Sequence, residues 1–134
     1  MRTLYKYTPS RDEMVLAALE HRHGRYLSLL FRDLPEEGGV ALDTLLDRVA
    51  NWMKTEATHG CLFHSAVAAA PNNAKLRHLL ERHKADVGQR AAEAVGLPAC
   101  VVEITVIMEG LTQSWALLGE QALVSAKRLG GLLR

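Results

Sequence analysis

Histidine is the residue type in this chain with the broadest chemistry, and the sequence contains 6 histidines. His59 and His64 are five residues apart, and so are His78 and His83. Two metal ligands on one helix normally lie three or four residues apart, because a spacing of five turns their side chains about 140° away from each other. We therefore expect no metal site, and we interpret His78 and the nearby Glu81 as parts of a solvated helix face.

The remaining polar residues form no catalytic pattern. His21 and His23 fall on a face rich in charged side chains, where they are expected to be solvated. Glu103 and Glu109 are six residues apart on one helix, too far for a close carboxylate pair. The sequence contains no nucleophile motif, phosphate-binding loop or dinucleotide fingerprint. We predict no catalytic residues, no cofactor and no enzymatic activity.

Large apolar side chains in different helices predict a ligand cavity instead. The small residues Cys61 and Ala66–Ala70 would leave room beside them, and His64 and Gln113 would supply the few polar groups that ligand pockets carry. The predicted lining comprises Trp52, Met53, Cys61, Phe63, His64, Met108, Gln113 and Trp115. The same residues also fit an ordinary hydrophobic core, so both interpretations stay open.

Composition and charge restrict the class of protein. A chain of 134 residues has the size of one domain. A formal net charge of +1 argues against a domain that holds nucleic acid by charge. The hydrophobic content of 49% indicates a buried subunit interface. Cys61 and Cys100 are expected to be buried thiols in a reducing cytosol.

Targeting and membrane signals are not recognisable in the sequence. The segment Met1–Ser10 lacks the apolar core of a secretory signal. The longest uncharged stretch, His59–Ala74, contains Pro71 and is too short for a membrane span, which needs about 20 apolar residues. We therefore predict a cytoplasmic protein that does not associate with a membrane.

Helix start and stop signals divide the chain into five or six helices without strands. Ser10 and Glu13 form a capping-box pattern that opens the first helix. Pro35 and the pair Gly38-Gly39 are expected to end it. Further helical patterns cover residues 41–58, 61–70, 74–95, 99–118 and 121–133. The third is small and apolar all round, which predicts a central buried element. The expected fold is an all-α antiparallel helical bundle.

The last two helices carry the pattern of a subunit interface. Between residues 99 and 118 the only charged residues are Glu103 and Glu109, and apolar residues occupy more than one helix face. A helix that is apolar on several faces needs several packing partners. These two helices are therefore candidates for contact with another subunit, through Ile104, Met108, Leu111, Trp115, Leu118, Leu123 and Leu129.

Three stretches resemble TetR-family transcriptional regulators. Leu4–Met14 looks like the junction that follows the recognition helix of that family, with a Leu-Tyr-x-Tyr end and a Ser-Arg-Asp turn into the next helix. His59–Phe63 is similar to the Gly-Cys-Leu helix start of one large subgroup. Ile107–Leu111, followed by Gln113, resembles the Glu-Gly segment before the final helix of that subgroup. The three stretches occur in the right order and at the right spacing.

The resemblance implies an all-helical TetR-like C-terminal domain. Such a domain would dimerise through its last two helices as a four-helix bundle and would bind a small-molecule effector. Residues 1–9 would then be the remnant of the recognition-helix end and hinge, and residues 10–134 the effector-binding and dimerisation domain. By position, Tyr5, Tyr7 and Arg11 match family residues that contact DNA phosphates, which position a protein without specifying sequence.

The chain departs from the family at its N-terminus. Only Met1, Arg2 and Thr3 precede the Leu-Tyr motif, whereas the family carries most of a helix-turn-helix head there. Thr8 also replaces an aromatic residue of the family. DNA binding is therefore expected only if the full-length protein carries such a head.

Two hypotheses follow from this departure. In the first, the chain is the effector-binding and dimerisation part of a TetR-like regulator. In the second, it is a headless ligand-binding or interaction module that modulates full-length relatives by heterodimerisation.

Overall fold

The computed structural model describes residues 10–57 and 62–134, and these residues form six α-helices. A 3₁₀ turn, Pro98–Cys100, precedes the fifth helix. No strand occurs in the described residues, so the predicted all-α class is confirmed. The helices are α1 (Arg11–Phe31), α2 (Gly38–Thr55), α3 (Leu62–Ala69), α4 (Ala74–Ala94), α5 (Val101–Leu118) and α6 (Glu120–Gly131).

Side-chain caps fix where the helices begin. Ser10 Oγ accepts a hydrogen bond from the Glu13 amide at 3.1 Å, and Asn73 Oδ1 accepts one from the Leu76 amide at 3.1 Å. Each cap satisfies an amide that has no partner inside its own helix. The prediction that Gly38-Gly39 is a helix-ending turn was wrong. Glu37 caps α2 through the amides of Gly39 and Val40, so both glycines lie inside that helix.

The main core lies where α2 and α4 meet the other helices. α2 packs against α1, α4, α5 and α6, whereas α4 packs against α1, α2, α3 and α5. Burial of apolar surface between them supplies the main driving force for folding. The largest fully buried side chains are Leu30, Leu45, Leu46, Val49, Met53, Val95, Ile104 and Leu111.

The short α3 lies at the edge of the bundle, and not at its centre as its composition predicted. Phe63 is its one buried residue among those whose side chains are described. Phe63 joins a smaller apolar cluster with Leu19, Leu76 and Leu79. Alanine side chains are too small to require a buried position, so an alanine-rich helix can be apolar and still peripheral.

The helical stretch Pro98–Leu118 is long and apolar enough, by length and composition, to cross a membrane. It has 21 residues with a mean hydropathy of 1.3, and it differs from the uncharged segment that the sequence singled out. The core helix of a packed domain meets the same criterion. Ile104 and Leu111 lie in the core, where α2, α4 and α6 pack against α5. Only 28% of the stretch is buried, so α5 also presents a large exposed side.

The exposed sides of α5 and α6 together carry an apolar surface, here called the α5–α6 face. α5 and α6 are the last two helices of the chain, and they pack against each other. The exposed apolar residues of this face are Val102, Val106, Leu117, Leu118, Val124, Leu129 and Leu132.

Three residues of the predicted subunit interface lie inside the chain's own core and not on the α5–α6 face. Ile104, Met108 and Leu111 are at most 4% exposed and belong to the chain's own core. A side chain buried in its own subunit cannot meet a second copy. Of the other predicted interface residues, Leu118 and Leu129 are exposed on the α5–α6 face, whereas Trp115 and Leu123 are half-buried against the core.

Candidate functional site

A cavity of about 60 Å³, partly open to solvent, lies among α1, α2, α3, α4 and α5. Trp52, Met53 and Phe63, which were predicted to line a pocket, do line it. Most of its surface is apolar, with a smaller polar part, as in ligand sites. The lining residues are Arg22, His23, Tyr26, Trp52, Met53, Ala57, Phe63, His83, Lys84, Val87 and Thr112.

The other predicted lining residues lie outside this cavity. Met108 is buried in the main core, Trp115 is half-buried against that core, and Gln113 is exposed. Cys61 is outside the described residues. His64 Nε2 lies 3.1 Å from Glu109 Oε2 at the surface, where 40% of the His64 side chain is exposed.

Aromatic and cationic groups surround the Trp52 wall of the cavity. The Tyr26 ring meets the Trp52 ring edge-on, with 5.1 Å between centroids. The guanidinium groups of Arg22 and Arg25 lie 4.9 Å and 5.6 Å from the Trp52 ring centroid. Cation–π attraction and aromatic packing therefore hold this wall in one orientation.

Two histidines from different helices stack against each other in the lining of the cavity. The rings of His23 in α1 and His83 in α4 are nearly parallel, at 4°, with 3.7 Å between centroids. Phe63 of α3 meets the His83 ring edge-on at 4.8 Å. Three helices thus contribute one ring each to a single cluster of rings in the lining of the cavity.

Each histidine has a carboxylate near its Nε2 atom. His23 Nε2 lies 3.3 Å from Asp86 Oδ2, and His83 Nε2 lies 3.4 Å from Glu20 Oε1. The Nδ1 atom of His83 is buried and has no hydrogen-bond partner among the described residues. His83 is only 7% exposed, so this atom is a buried polar group that lacks a partner.

Burial keeps both imidazoles neutral near pH 7. Desolvation lowers the pKa of His23, although the hydrogen bond and the charge of Asp86 oppose the change. Desolvation also lowers the pKa of His83, and the positive charge that His23 can carry lowers it further. Two stacked rings in van der Waals contact cannot easily both be charged.

The interpretation of His23 as a residue of a solvated, charged face was wrong, and His83 was considered only for its spacing from His78, although helical periodicity contained the signal for both. His83 lies four residues after Leu79 and four before Val87, on the buried stripe of α4. His23 lies four residues after the buried Leu19 of α1. A polar residue at an apolar position of a helical repeat is a candidate for a buried functional group.

The described residues hold no group of three or more histidine, cysteine or acidic side chains that could bind a metal ion. Arg11, proposed from the resemblance to touch DNA phosphates, is exposed at the first position of α1. Tyr5 and Tyr7, proposed with it, lie outside the described residues.

No protein-family model, curated protein or solved structure matches this chain. The functional assignment therefore depends on the geometry of the cavity, on the α5–α6 face and on the motifs in the sequence.

Proposed function

We propose that residues 10–134 form the effector-binding and dimerisation domain of a TetR-like transcriptional regulator, which senses a small molecule with an apolar body. The cavity beside Trp52, Met53 and Phe63 is the observation that carries this proposal. Its surface is mostly apolar with a smaller polar part, and residues from five helices of the bundle line it.

The position of the cavity couples it to the N-terminal helix. Arg22, His23 and Tyr26 bring α1 to the cavity wall. α1 contacts only α2 and α4 extensively and buries only Leu19 and Leu30. A helix held by so few buried residues can change its tilt when a ligand enters. Because α1 continues from the segment that resembles the family hinge, such a tilt would reach a DNA-binding head if the full-length protein carries one.

The α5–α6 face supplies the dimer contact in this proposal. Val106 is 64% exposed and Leu117 is 85% exposed, and no charged residue lies between Glu109 and Leu118 of α5. Several large apolar residues exposed on two adjacent helices are typical of an interaction site. A second copy offers the same residues, so a two-fold arrangement would bury both faces at once. A regulator of this kind would work in the cytoplasm, where DNA is accessible.

Filling the cavity tests its role in binding. Xenon is a neutral apolar probe that enters small cavities, and binding to the folded state raises stability. We expect xenon pressure to raise the thermal unfolding midpoint of the wild type but not of Ala57→Phe, whose ring would occupy the cavity. Ala17→Phe, at an exposed position of α1, is the matched control and should keep the xenon response. Equal responses of the wild type and Ala57→Phe would remove the cavity from the proposal.

A further inference from the structure

The two cations that line the cavity are neutralised by carboxylates that lie outside the lining. The Lys84 ammonium lies 2.7 Å from Glu109 Oε1. The Arg22 guanidinium donates to the Glu56 carbonyl at 2.6 Å and lies 4.0 Å from Glu56 Oε2. The wall of the cavity therefore contains two positive groups but no positive charge that a ligand has to balance.

The two histidines of the lining offer a ligand no charge either. Both rings are neutral near pH 7, because burial lowers the pKa of each. His23 Nε2 lies 3.3 Å from Asp86 Oδ2, and His83 Nε2 lies 3.4 Å from Glu20 Oε1. The Nδ1 atom of His83 is buried, so a ligand in the cavity does not reach it. The polar atoms of these rings are therefore already used inside the chain or inaccessible.

A charged ligand would bind in this cavity at a cost. An ion that leaves water for an apolar wall loses hydration free energy, which only an opposite charge that is not yet neutralised can return. An anion would have to draw Lys84 or Arg22 away from its carboxylate, and a cation would lie beside both of them. An uncharged apolar group loses little hydration and gains by its burial. The lining therefore favours an uncharged ligand.

The size of the cavity limits the part of a ligand that it can enclose. An apolar cavity of about 150 Å³ encloses benzene, whereas the volume here is about 60 Å³. A planar six-membered ring is therefore too large, whereas a chain of about three carbons fits against Trp52, Met53 and Phe63. Because the cavity is partly open to solvent, the rest of a longer molecule can extend through the opening.

We propose that the cavity binds the short alkyl end of an uncharged molecule, and that Glu56 and Glu109 determine this selectivity by neutralising the cations of its wall. This inference rests on the proposed ligand-binding function and names the chemical class of the ligand. Glu56 and Glu109 do not line the cavity. They act through Arg22 and Lys84 and are therefore positioning residues, whose effect is on the charge that the cavity accepts.

The test uses three probes of one shape and different charge: methyl propyl ketone, butyrate and butyramidinium. Their dissociation constants are measured at pH 7 on the whole chain by NMR titration of backbone amides. We expect the uncharged ketone to bind at least about tenfold more tightly than either ion. Acetophenone, in which a phenyl ring replaces the propyl chain, should bind at least about tenfold more weakly than methyl propyl ketone.

Glu109→Gln tests the origin of the charge selectivity. The variant removes the negative charge beside Lys84 and keeps the shape of the side chain, so the dissociation constant of butyrate should fall about tenfold. That of methyl propyl ketone should not change. Glu103→Gln removes a negative charge from an exposed position of the same helix and is the matched control. It should keep the wild-type ratio of the two dissociation constants.

Two further variants make the test independent of a single substitution. Glu56→Gln acts on Arg22 in the way that Glu109→Gln acts on Lys84, and it should also favour butyrate. Ala57→Phe should abolish the binding of methyl propyl ketone, whereas Ala17→Phe should keep it.

The outcomes separate the ligand class from the site. Tightest binding of butyrate or butyramidinium, or an unchanged ratio in both glutamine variants, would overturn the proposed selectivity and leave the cavity as a ligand site. Tighter binding of acetophenone than of methyl propyl ketone would overturn the alkyl assignment. If no probe binds, or if the ketone still binds to Ala57→Phe, the proposed ligand class is also overturned. In that case the xenon response decides separately whether the cavity takes a ligand at all.

Discussion

The stacked imidazoles of His23 and His83 should make the folded chain less stable in mild acid. Both rings are buried, and burial lowers the pKa of each from its usual value of 6.5. The unfolded chain exposes these rings and therefore binds protons at a higher pH than the folded chain does. Below pH 6.5 the unfolded state gains more protons, so the free energy of unfolding falls as the pH falls.

We expect the free energy of unfolding to decrease between pH 7 and pH 5.5, by at most about 1.4 kcal/mol per pH unit for each histidine. Chemical denaturation at several pH values measures this slope. The double variant His23→Gln/His83→Gln should show a flatter slope. Its control is His21→Gln/His78→Gln, which changes two exposed histidines on the same two helices and should keep the wild-type slope. Identical slopes for the two double variants would show that the stacked pair does not control the acid response.

The histidine pair also shows why the site was hard to predict. His23 and His83 are far apart in the sequence, and only the packing of α1 on α4 brings their rings into contact. Periodicity can place each histidine on a buried stripe, but it cannot tell which residue of another helix lies opposite. Trp52, Met53 and Phe63 were predicted at the cavity because large apolar residues in several helices converge on a core almost regardless of register.

At the scale of helices, the contact between α4 and α5 depends on a glycine. A Cβ added at Gly88 would overlap the Thr105 hydroxyl, which donates to the Val101 carbonyl at 2.7 Å. The two helices can approach this closely only because Gly88 has no side chain. Gly24 in α1 is a useful contrast, since an added Cβ there would meet no atom within 4 Å.

The two glycines should respond oppositely to alanine. Gly24→Ala should raise the free energy of unfolding by about 1 kcal/mol, because alanine favours the helix and nothing obstructs it. Gly88→Ala should lower it by roughly 1–3 kcal/mol, because α4 and α5 must separate or repack. Urea denaturation measures both changes. Stabilisation by Gly88→Ala would contradict the close contact that the structure shows.

Helix positions were easier to predict than helix roles. The Ser10 cap, which the sequence predicted, and the Asn73 cap depend on local chemistry that the sequence displays directly. The end of α1 at Phe31 lies four residues before Pro35, where the sequence placed its stop. The role of α5 was harder, because it carries two apolar stripes. One stripe contains Ile104 and Leu111 and faces the core, whereas the other contains Val106 and Leu117 and is exposed. Composition cannot tell which stripe faces inward.

At the scale of the whole molecule, the α5–α6 face predicts the oligomeric state. We expect sedimentation velocity to show a dimer for the wild type and a monomer for Val106→Glu and Leu117→Glu, with unchanged helical content. A charge placed in a buried apolar interface is strongly unfavourable. Leu29→Glu changes an exposed leucine of α1 and should remain a dimer.

A Leu111→Glu variant distinguishes the stripe of α5 that faces the core from the stripe that is exposed. Leu111 lies in the chain's own core, so this variant should unfold and not merely dissociate. A monomeric wild type, or a Leu117→Glu chain that stays dimeric, would contradict the proposed interface.

A ligand that occupies the cavity beside Trp52 can be detected in one spectrum, because the chain contains two tryptophans. Trp52 lines the cavity, whereas Trp115 lies outside it against the main core. The positions of both indole N–H resonances are followed in ¹H–¹⁵N correlation spectra during a xenon titration. We expect a saturable shift of the Trp52 resonance and an unchanged Trp115 resonance. An unchanged Trp52 resonance, or a saturable shift confined to Trp115, would contradict ligand binding in this cavity.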